Sequence, residues 1–173
     1  MERPDPAELS GKYLSQLQQL RIGLPQRFHA TLDNLIPQVS DLFAEDWPLV
    51  PNHTDLLENN IHVDPATGKI TGICDWREAE VSPFGMSLGG LEVMLGVAVT
   101  GDSAWRYHPN HKSLRRYFWT QFYNYLGGAS DEQKRRIQTA RLVGLFRTYA
   151  FDYDSPATEE SSDLRILGAL ILE

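Results

Sequence analysis

The chain has 173 residues, 42% of them hydrophobic and 23% charged, which fits one domain with a proper core and excludes a disordered protein. Its formal net charge of −7 argues against nucleic acid as the main partner, because phosphate binding needs a basic face. No apolar run approaches membrane-spanning length, so we expect no membrane partner. Its single cysteine, Cys74, excludes an intrachain disulfide framework, and the N-terminus has no apolar leader. We therefore expect a cytoplasmic location.

The first quarter of the chain is predicted to be helical. Asp5 is a typical helix cap and Pro6 suits the first helical position. Leucines at helical spacing continue this helix until Gly23-Leu24-Pro25 breaks it. A second amphipathic helix follows over Phe28–Phe43, and Pro37 predicts a kink or restart inside it, because proline removes a backbone hydrogen bond.

The middle of the chain predicts a short strand and a β-hairpin. Leu49-Val50 is the short strand, and it leads into a polar loop. Asn60–Asp64 and Lys69–Cys74 are the hairpin strands, joined by a Pro-Ala-Thr-Gly turn. Because antiparallel strands return to their starting point, we expect Asn60 and Asp75 to lie at the same end of this hairpin.

The remainder is predicted to be helical, with segments at Phe84–Val99, His111–Leu126, Ser130 to about Phe151, and Glu159–Leu172. Ser130 with Gln133 forms a capping box that opens the third of these helices. Aromatic residues concentrate in this part of the chain, and two interpretations stay open for them. They are either core and helix packing or one wall of a substrate pocket; the residues are Trp105, Tyr107, Trp119, Tyr123 and Tyr125.

A run of polar residues in the predicted loop has the spacing His53-x-Asp55-x-x-x-x-Asn60, and Asp75 follows fifteen residues after Asn60. The order and spacing match the catalytic loop and metal site of the kinase fold. Together with the residues around this motif, from about Trp47 to Leu95, the sequence closely resembles the aminoglycoside phosphotransferase (choline kinase-like) family. The style is that of its fungal members.

This resemblance implies a fold, a reaction and a set of site residues. The family phosphorylates small-molecule hydroxyls with ATP and Mg²⁺, so the implied cofactors are ATP and Mg²⁺ and the implied partner is a small-molecule substrate. Asp55 would be the catalytic base, and Asn60 and Asp75 would hold the magnesium and, through it, the nucleotide. His53 is a second catalytic candidate: it either braces the loop or acts as an acid–base group near neutral pH.

The nucleotide-binding half of such an enzyme has no counterpart in the sequence. No G-x-G-x-x-G occurs, and only one lysine, Lys12, precedes the loop, in a helical pattern. We therefore expect an α+β, mainly α fold: a protein-kinase-like C-terminal lobe with a small β-hairpin at the site and the N-lobe absent. Residues 1–173 would form one domain, with upstream helices at 1–45, catalytic loop and metal hairpin at 47–76, and a helical subdomain at 84–173.

Two departures from the family pattern lie near the site. Thr54 replaces the glycine usual between the histidine and the aspartate. Further on, Val81-Ser82-Pro83 and Ser87 stand where family members commonly carry aspartates. Those aspartates mostly brace the helical lobe, so we expect their loss to alter structure more than chemistry.

Three functions stay open at this point. The first is a phosphotransferase-like C-lobe that retains the catalytic and magnesium residues without being an autonomous kinase. The second is a stand-alone enzyme of secondary metabolism that uses the Asp55/His53/Asp75 cleft for cyclisation, isomerisation or dehydration. The third is a non-catalytic pseudokinase binding module. The hairpin carries apolar residues that the missing lobe would leave uncovered. Either the first amphipathic helix or a second copy of the chain would cover them, and we expect a homodimer.

Overall fold

The computed structural model describes residues 4–99 and 104–172. In this part of the chain the α-helices are α1 (Pro6–Gly23), α2 (His29–Leu35), α3 (Gly89–Met94), α4 (His111–Tyr125), α5 (Asp131–Tyr149) and α6 (Ser162–Ile171). The strands are β1 (Leu49–Asn52), β2 (Ile61–Val63), β3 (Ile70–Ile73), β4 (Glu80–Pro83), β5 (Gly96–Val99), β6 (Ala104–Tyr107), β7 (Phe151–Asp152) and β8 (Ser155–Pro156). None of the described helices is long and apolar enough to cross a membrane.

The helix starts predicted from capping residues are confirmed. The Asp5 carboxylate accepts hydrogen bonds from the backbone N–H groups of Ala7 (2.8 Å) and Glu8 (3.0 Å), and so satisfies two donors that the helix itself leaves free. Ser130 and Gln133 form the reciprocal capping box that opens α5. Caps are local signals, which is why the sequence locates them well.

The predicted break at Pro37 is also confirmed. α2 ends at Leu35, and the chain continues over Ile36–Phe43 as a 3-10 helix. Proline lacks the N–H that an α-helix needs at this position. Valine and leucine side chains of the 3-10 segment still face the core, so the break redirects the chain without exposing apolar surface.

The strands of the described residues form four two-stranded antiparallel sheets, β1–β4, β2–β3, β5–β6 and β7–β8. The fold class predicted from the sequence, α+β and mainly α with a small hairpin at the site, is confirmed. β4 was not predicted. It pairs with β1 so that Asn52 lies opposite Glu80, and this pairing fixes the point at which the polar loop begins.

The predicted helix over Phe84–Val99 is wrong. Only α3 is α-helical there, and β5 pairs with β6. The β-branched Val97 and Val99 suit a pleated strand, and so do the aromatic residues of β6. Trp105 and Tyr107 therefore lie on a strand and not on a helix.

One hydrophobic core contains residues from both ends of the chain. The apolar side of α1, the 3-10 segment, α5 and α6 pack together and exclude water from their contacts. The fully buried members include Tyr13, Leu17, Leu20, Phe28, Leu32, Leu42, Val143, Phe146, Leu164 and Leu167. The leucine side chains of α1 thus pack in this core, and α1 does not lie over the β2–β3 hairpin.

A polar network ties α1 to β4 and α5 inside this packing. Arg147 forms an ion pair with Glu80, and its guanidinium also donates to the Tyr13 hydroxyl (3.0 Å). The Tyr13 hydroxyl donates in turn to Glu80 (3.1 Å), and the Tyr13 side chain is fully buried. Burial acts to raise the pKa of Glu80, but the hydrogen bond and charge of Arg147 outweigh it and hold that pKa below its ordinary value of 4.5.

Glu80→Gln should destabilise the protein by roughly 1–3 kcal/mol at pH 7, because it leaves Arg147 without its charge partner. A lowered folded-state pKa means that the Glu80 contribution is complete above pH 4.5 and is lost as pH falls through the folded value. The difference in free energy of unfolding between wild type and variant should therefore shrink steadily below pH 4.5. Urea unfolding at a series of pH values checks this, with exposed Glu45→Gln as the control. A gap that does not change with pH would contradict it.

Candidate active site

Asn52, the last residue of β1, fixes the start of the polar loop. Its buried amide donates to Ser82 Oγ (2.9 Å) and to the carbonyl of Pro83 (3.2 Å). Its Oδ1 accepts from the Ser87 hydroxyl (3.0 Å). Ser82 and Ser87 occupy the two positions where family members commonly carry aspartates. One neutral amide with two hydroxyls therefore holds β1, β4 and the segment at Ser87 together.

His53 joins the loop to the segment around Asp75. Its ring is 4% exposed, with Nε2 2.8 Å from the Cys74 carbonyl oxygen and Nδ1 3.2 Å from the backbone nitrogen of Asp55. A backbone N–H can only donate, so Nδ1 accepts and Nε2 carries the proton that bonds to Cys74. The Trp76 ring packs edge-on at 5.0 Å. His53 thus contacts the residues on both sides of Asp75.

Asn60 joins Asp55 to the hairpin. Its side-chain nitrogen donates to the Asp55 carbonyl (2.8 Å) and to Asp55 Oδ2 (3.1 Å). Because both partners are acceptors, the amide orientation is fixed and Oδ1 points away from Asp55. The closest donor to Oδ1 is the weak thiol of Cys74, at 3.9 Å. Asn60 is 5% exposed, so its Oδ1 is a buried oxygen that still has capacity to bind a ligand.

Asp75 has a left-handed backbone conformation, with φ 59° and ψ 51°. Such a conformation is uncommon for a residue with a side chain, and non-glycine examples concentrate at functional sites. The backbone N–H of the preceding Cys74 donates to the Asn60 carbonyl (2.9 Å). The hairpin therefore brings Asn60 and Asp75 to the same end, as the strand pattern led us to expect.

Two adjoining cavities lie beside Asp55. The larger has a volume of about 250 Å³ and is bounded by His53, Thr54, Glu80 and Arg147. The smaller, about 30 Å³, is bounded by Asp55 and Tyr149, and shares Thr54 with the first. Both run between the loop and one face of α5. Asp55 lines the smaller of the two.

The sequence alone did not single out Tyr149, Glu80 or Arg147. They lie outside the motif, and α5 joins the loop only through tertiary packing. Burial, with the charge of Asp55 as the second cause, raises the pKa of Tyr149 to about 12. Tyr149 therefore stays a neutral hydroxyl beside the Asp55 carboxylate at neutral pH.

A family model described as "Phosphotransferase enzyme family" (APH) matches residues 2–121 of the chain. That range is well over half of the sequence. The chain belongs to this family. The match runs from α1 into α4 and includes Asp55, Asn60 and Asp75. No curated protein matches the chain.

This assignment confirms the resemblance stated from the sequence, at the level of the family and its mainly α, kinase-like fold. The fungal type and the restriction to a C-terminal lobe stay predictions. So do the division into 1–45, 47–76 and 84–173 and the roles of the site residues. Enzymes of a phosphotransferase family transfer negatively charged phosphoryl groups, so the charge around the loop bears on its function.

Negative charge concentrates around the site. Residues 53–80 contain six carboxylates against Lys69 and Arg77, so most of the net charge of the chain arises here. Asp55 and Asp75 are both exposed, and neither forms an ion pair within the described residues. A divalent cation bound beside such carboxylates would offset their negative charge.

Magnesium is the cation that this set of oxygens fits. Within residues 4–99 and 104–172, no group of three or more His, Cys, Asp or Glu side chains is placed to hold a metal by itself. Asn60 Oδ1 and the Asp75 carboxylate supply two hard oxygens, and Mg²⁺ commonly completes its shell with water and substrate phosphates. The donor set therefore suits a metal that arrives with a phosphate ligand, and not a permanently bound structural ion.

Proposed function

We propose that this chain is the acceptor-side and magnesium-side lobe of a small-molecule phosphotransferase that uses ATP and Mg²⁺. One observation carries the proposal. The Asn60 side chain donates to Asp55 through its nitrogen, and its Oδ1 accepts only from the weak Cys74 thiol at 3.9 Å, at the end of the hairpin that also holds Asp75. A residue that only braced a loop would have no reason to keep a buried oxygen without a strong donor.

The proposed roles follow from these contacts. Asp55, exposed at the cavity edge, orients the acceptor hydroxyl and takes its proton late in the transfer. Asn60 and Asp75 hold Mg²⁺, which when bound neutralises charge on the phosphate oxygens. His53 keeps the loop and Asp75 in register through its two ring nitrogens. The substrate is a small molecule with a hydroxyl group, and it enters by the cavity between the loop and α5.

The nucleotide needs more residues than those described. In kinase folds its phosphates are held by a glycine-rich loop and a lysine on a strand of a larger sheet. The described sheets are all two-stranded antiparallel pairs. We expect the purified 173-residue chain to turn over no ATP by itself. Robust ATP turnover that Asp75→Ala abolishes would contradict this part of the proposal.

The two other functions considered from the sequence have less support. Non-phosphoryl acid–base chemistry would need a free base beside Asp55, and both nitrogens of His53 already bond to the backbone. A pure binding module would have no need for the strained Asp75 or the Asn60–Asp55 contact. Retention of both features favours the phosphotransferase proposal.

Manganese binding tests the proposal without a known substrate, because Mn²⁺ replaces Mg²⁺ at oxygen sites and broadens nearby NMR signals. In the presence of ATP, Mn²⁺ should broaden the amide signals of Asp55, Asn60 and Asp75 first. Asp75→Asn should remove that selective effect. Asp64→Asn is the matched control, because Asp64 lies at the turn end of the same hairpin and bonds to Ala66 and Thr67. Selective broadening that survives Asp75→Asn would overturn the metal site.

The hairpin also carries the proposal of a homodimer. Ile61 faces Ile73 and Val63 faces Ile70 across the strands, so one face of the hairpin is apolar. Ile70 is 64% exposed and Val63 52% exposed. The β3 edge contains no proline or charged residue, the features that usually protect an exposed edge. A second copy that pairs along this edge would cover the face.

We expect self-association to strengthen as salt is added, because two copies would bring their acidic sites together and salt screens that repulsion. Light scattering at increasing protein concentration, in low and high sodium chloride, measures it. Ile70→Lys should abolish the dimer, and Ile22→Lys, at an exposed isoleucine on α1, is the control. A monomer at every salt concentration, with the hairpin amides protected from exchange, would contradict the expectation.

A further inference from the structure

Three buried side-chain atoms have no hydrogen-bond partner in the part of the chain that the structure describes. They are Trp105 Nε1, His111 Nδ1 and Arg141 Nη1. More than about 90% of buried polar groups in folded proteins are paired, so an unpaired one calls for a bound ion, a water or a functional reason. Three such atoms from β6, α4 and α5 need a common explanation if they are neighbours.

The ring of Tyr107 links the residues that carry these atoms. Its centroid lies 4.5 Å from that of His111 and 6.1 Å from that of Trp105. The Arg115 guanidinium carbon lies 5.3 Å from the same ring. Arg141 interacts electrostatically with both Tyr107 and Arg115. Trp105, His111 and Arg141 therefore belong to one polar cluster around Tyr107.

The cluster carries more positive than negative charge. Its carboxylate, Glu92, is 5% exposed and is fully engaged by Arg115, which donates to both of its oxygens at 2.7–3.0 Å. Arg141 bonds through Nε to the neutral amide of Gln138 (2.8 Å). Burial lowers the pKa of Arg141, but a guanidinium stays charged in proteins. Two guanidiniums thus share one carboxylate.

We propose that Trp105, His111 and Arg141 form a binding site for an oxyanion, either a phosphate or a carboxylate group. A water can accept from these donors but adds no charge to balance the second guanidinium, whereas an oxyanion does both. A planar guanidinium and an indole N–H are donors from which such oxygens commonly accept, and the imidazole joins them when its Nδ1 carries the proton. None of the three residues bounds the two cavities beside Asp55, so the site is independent of the proposed phosphoryl transfer.

Thermal unfolding in buffers of equal ionic strength tests the site. Inorganic phosphate and sodium acetate are the two probes, with sodium chloride as the reference. A saturating oxyanion should raise the wild-type Tm by about 3 °C or more over chloride. Arg141→Met should remove that rise, and in chloride its Tm should equal or exceed that of wild type, because the variant loses a buried unpaired charge. Arg116→Met, at an exposed arginine of α4, should keep the full rise.

Trp105→Phe supplies a second test that removes one donor and keeps an aromatic ring. It should weaken the oxyanion response about tenfold in concentration, as the loss of one hydrogen bond implies. A response to phosphate alone identifies a phosphate-bearing ligand, and a response to acetate alone identifies a carboxylate. Equal Tm values in phosphate, acetate and chloride would overturn the proposal. So would an unchanged response in Trp105→Phe or in Arg141→Met; if Arg141→Met does not fold, Trp105→Phe decides.

Discussion

Gly144→Ala should lower the free energy of unfolding by roughly 3 kcal/mol or more. A Cβ on Gly144 would lie 2.1 Å from the carbonyl oxygen of Met86 and 3.1 Å from its carbonyl carbon. Both are backbone atoms, so no side-chain rotation relieves the contact. α5 would have to move away from the 3-10 segment Met86–Leu88, and the cavities beside Asp55 would change shape with it.

Gly90→Ala should have a similar cost with a more local effect, since its Cβ would lie 1.9 Å from the carbonyl oxygen of Leu56 in the polar loop. Gly11→Ala is the matched control. Nothing lies within 4 Å of a Cβ there, and alanine in α1 should stabilise by about 0.5–1 kcal/mol. Urea unfolding followed by circular dichroism gives all three values. A Gly144→Ala protein as stable as wild type would show that α5 is not held against Met86.

Asp55→Asn should abolish phosphoryl transfer and leave the Tm unchanged or higher. Loss of a general base typically costs about 10²–10⁴-fold in rate. The folded protein should lose little stability, because Asp55 is exposed. Its side chain receives one hydrogen bond from Asn60, at 3.1 Å, and an asparagine oxygen can accept the same bond. Removing one of several unpaired carboxylates also relieves repulsion at the site.

ADP release in the presence of a panel of hydroxyl compounds measures the rate. The assay includes the polypeptide that supplies the nucleotide-binding residues. Asp64→Asn should retain activity, because Asp64 bonds within the hairpin turn and not at the site. If Asp55→Asn unfolds the protein, the aspartate is a structural part of the loop, and the catalytic role is wrong. The Tm and the rate are therefore both needed from the same preparation.

The part of the site that the sequence predicts is the part encoded locally. His53, Asp55 and Asn60 share one loop, and a short hairpin carries the chain on to Asp75, so spacing and strand alternation suffice to place them. Helix starts at Asp5 and Ser130 follow the same logic, because a cap bonds to residues two or three positions away. In these segments the local sequence preferences agree with the final fold.

The rest depends on contacts between distant segments. Tyr149 reaches the Asp55 cavity only because Gly144 lets α5 approach Met86, and no pattern along the chain records that approach. The error over Phe84–Val99 has the same origin. Apolar residues there suit either a helix or a strand, and the choice follows from the close contact of Gly90 with the loop and the pairing of β5 with β6.

The β2–β3 hairpin is small and open to solvent, with strands of three and four residues that are mostly exposed. A two-stranded hairpin of this size is marginally stable alone, so it should open more often than the helical core unfolds. Asn60 is buried at its base, and Asp75 follows the end of β3 at that same base. A cation that bridges the two must hold the hairpin still. Binding should therefore carry an unfavourable entropy of ordering, together with slower amide exchange along β2 and β3.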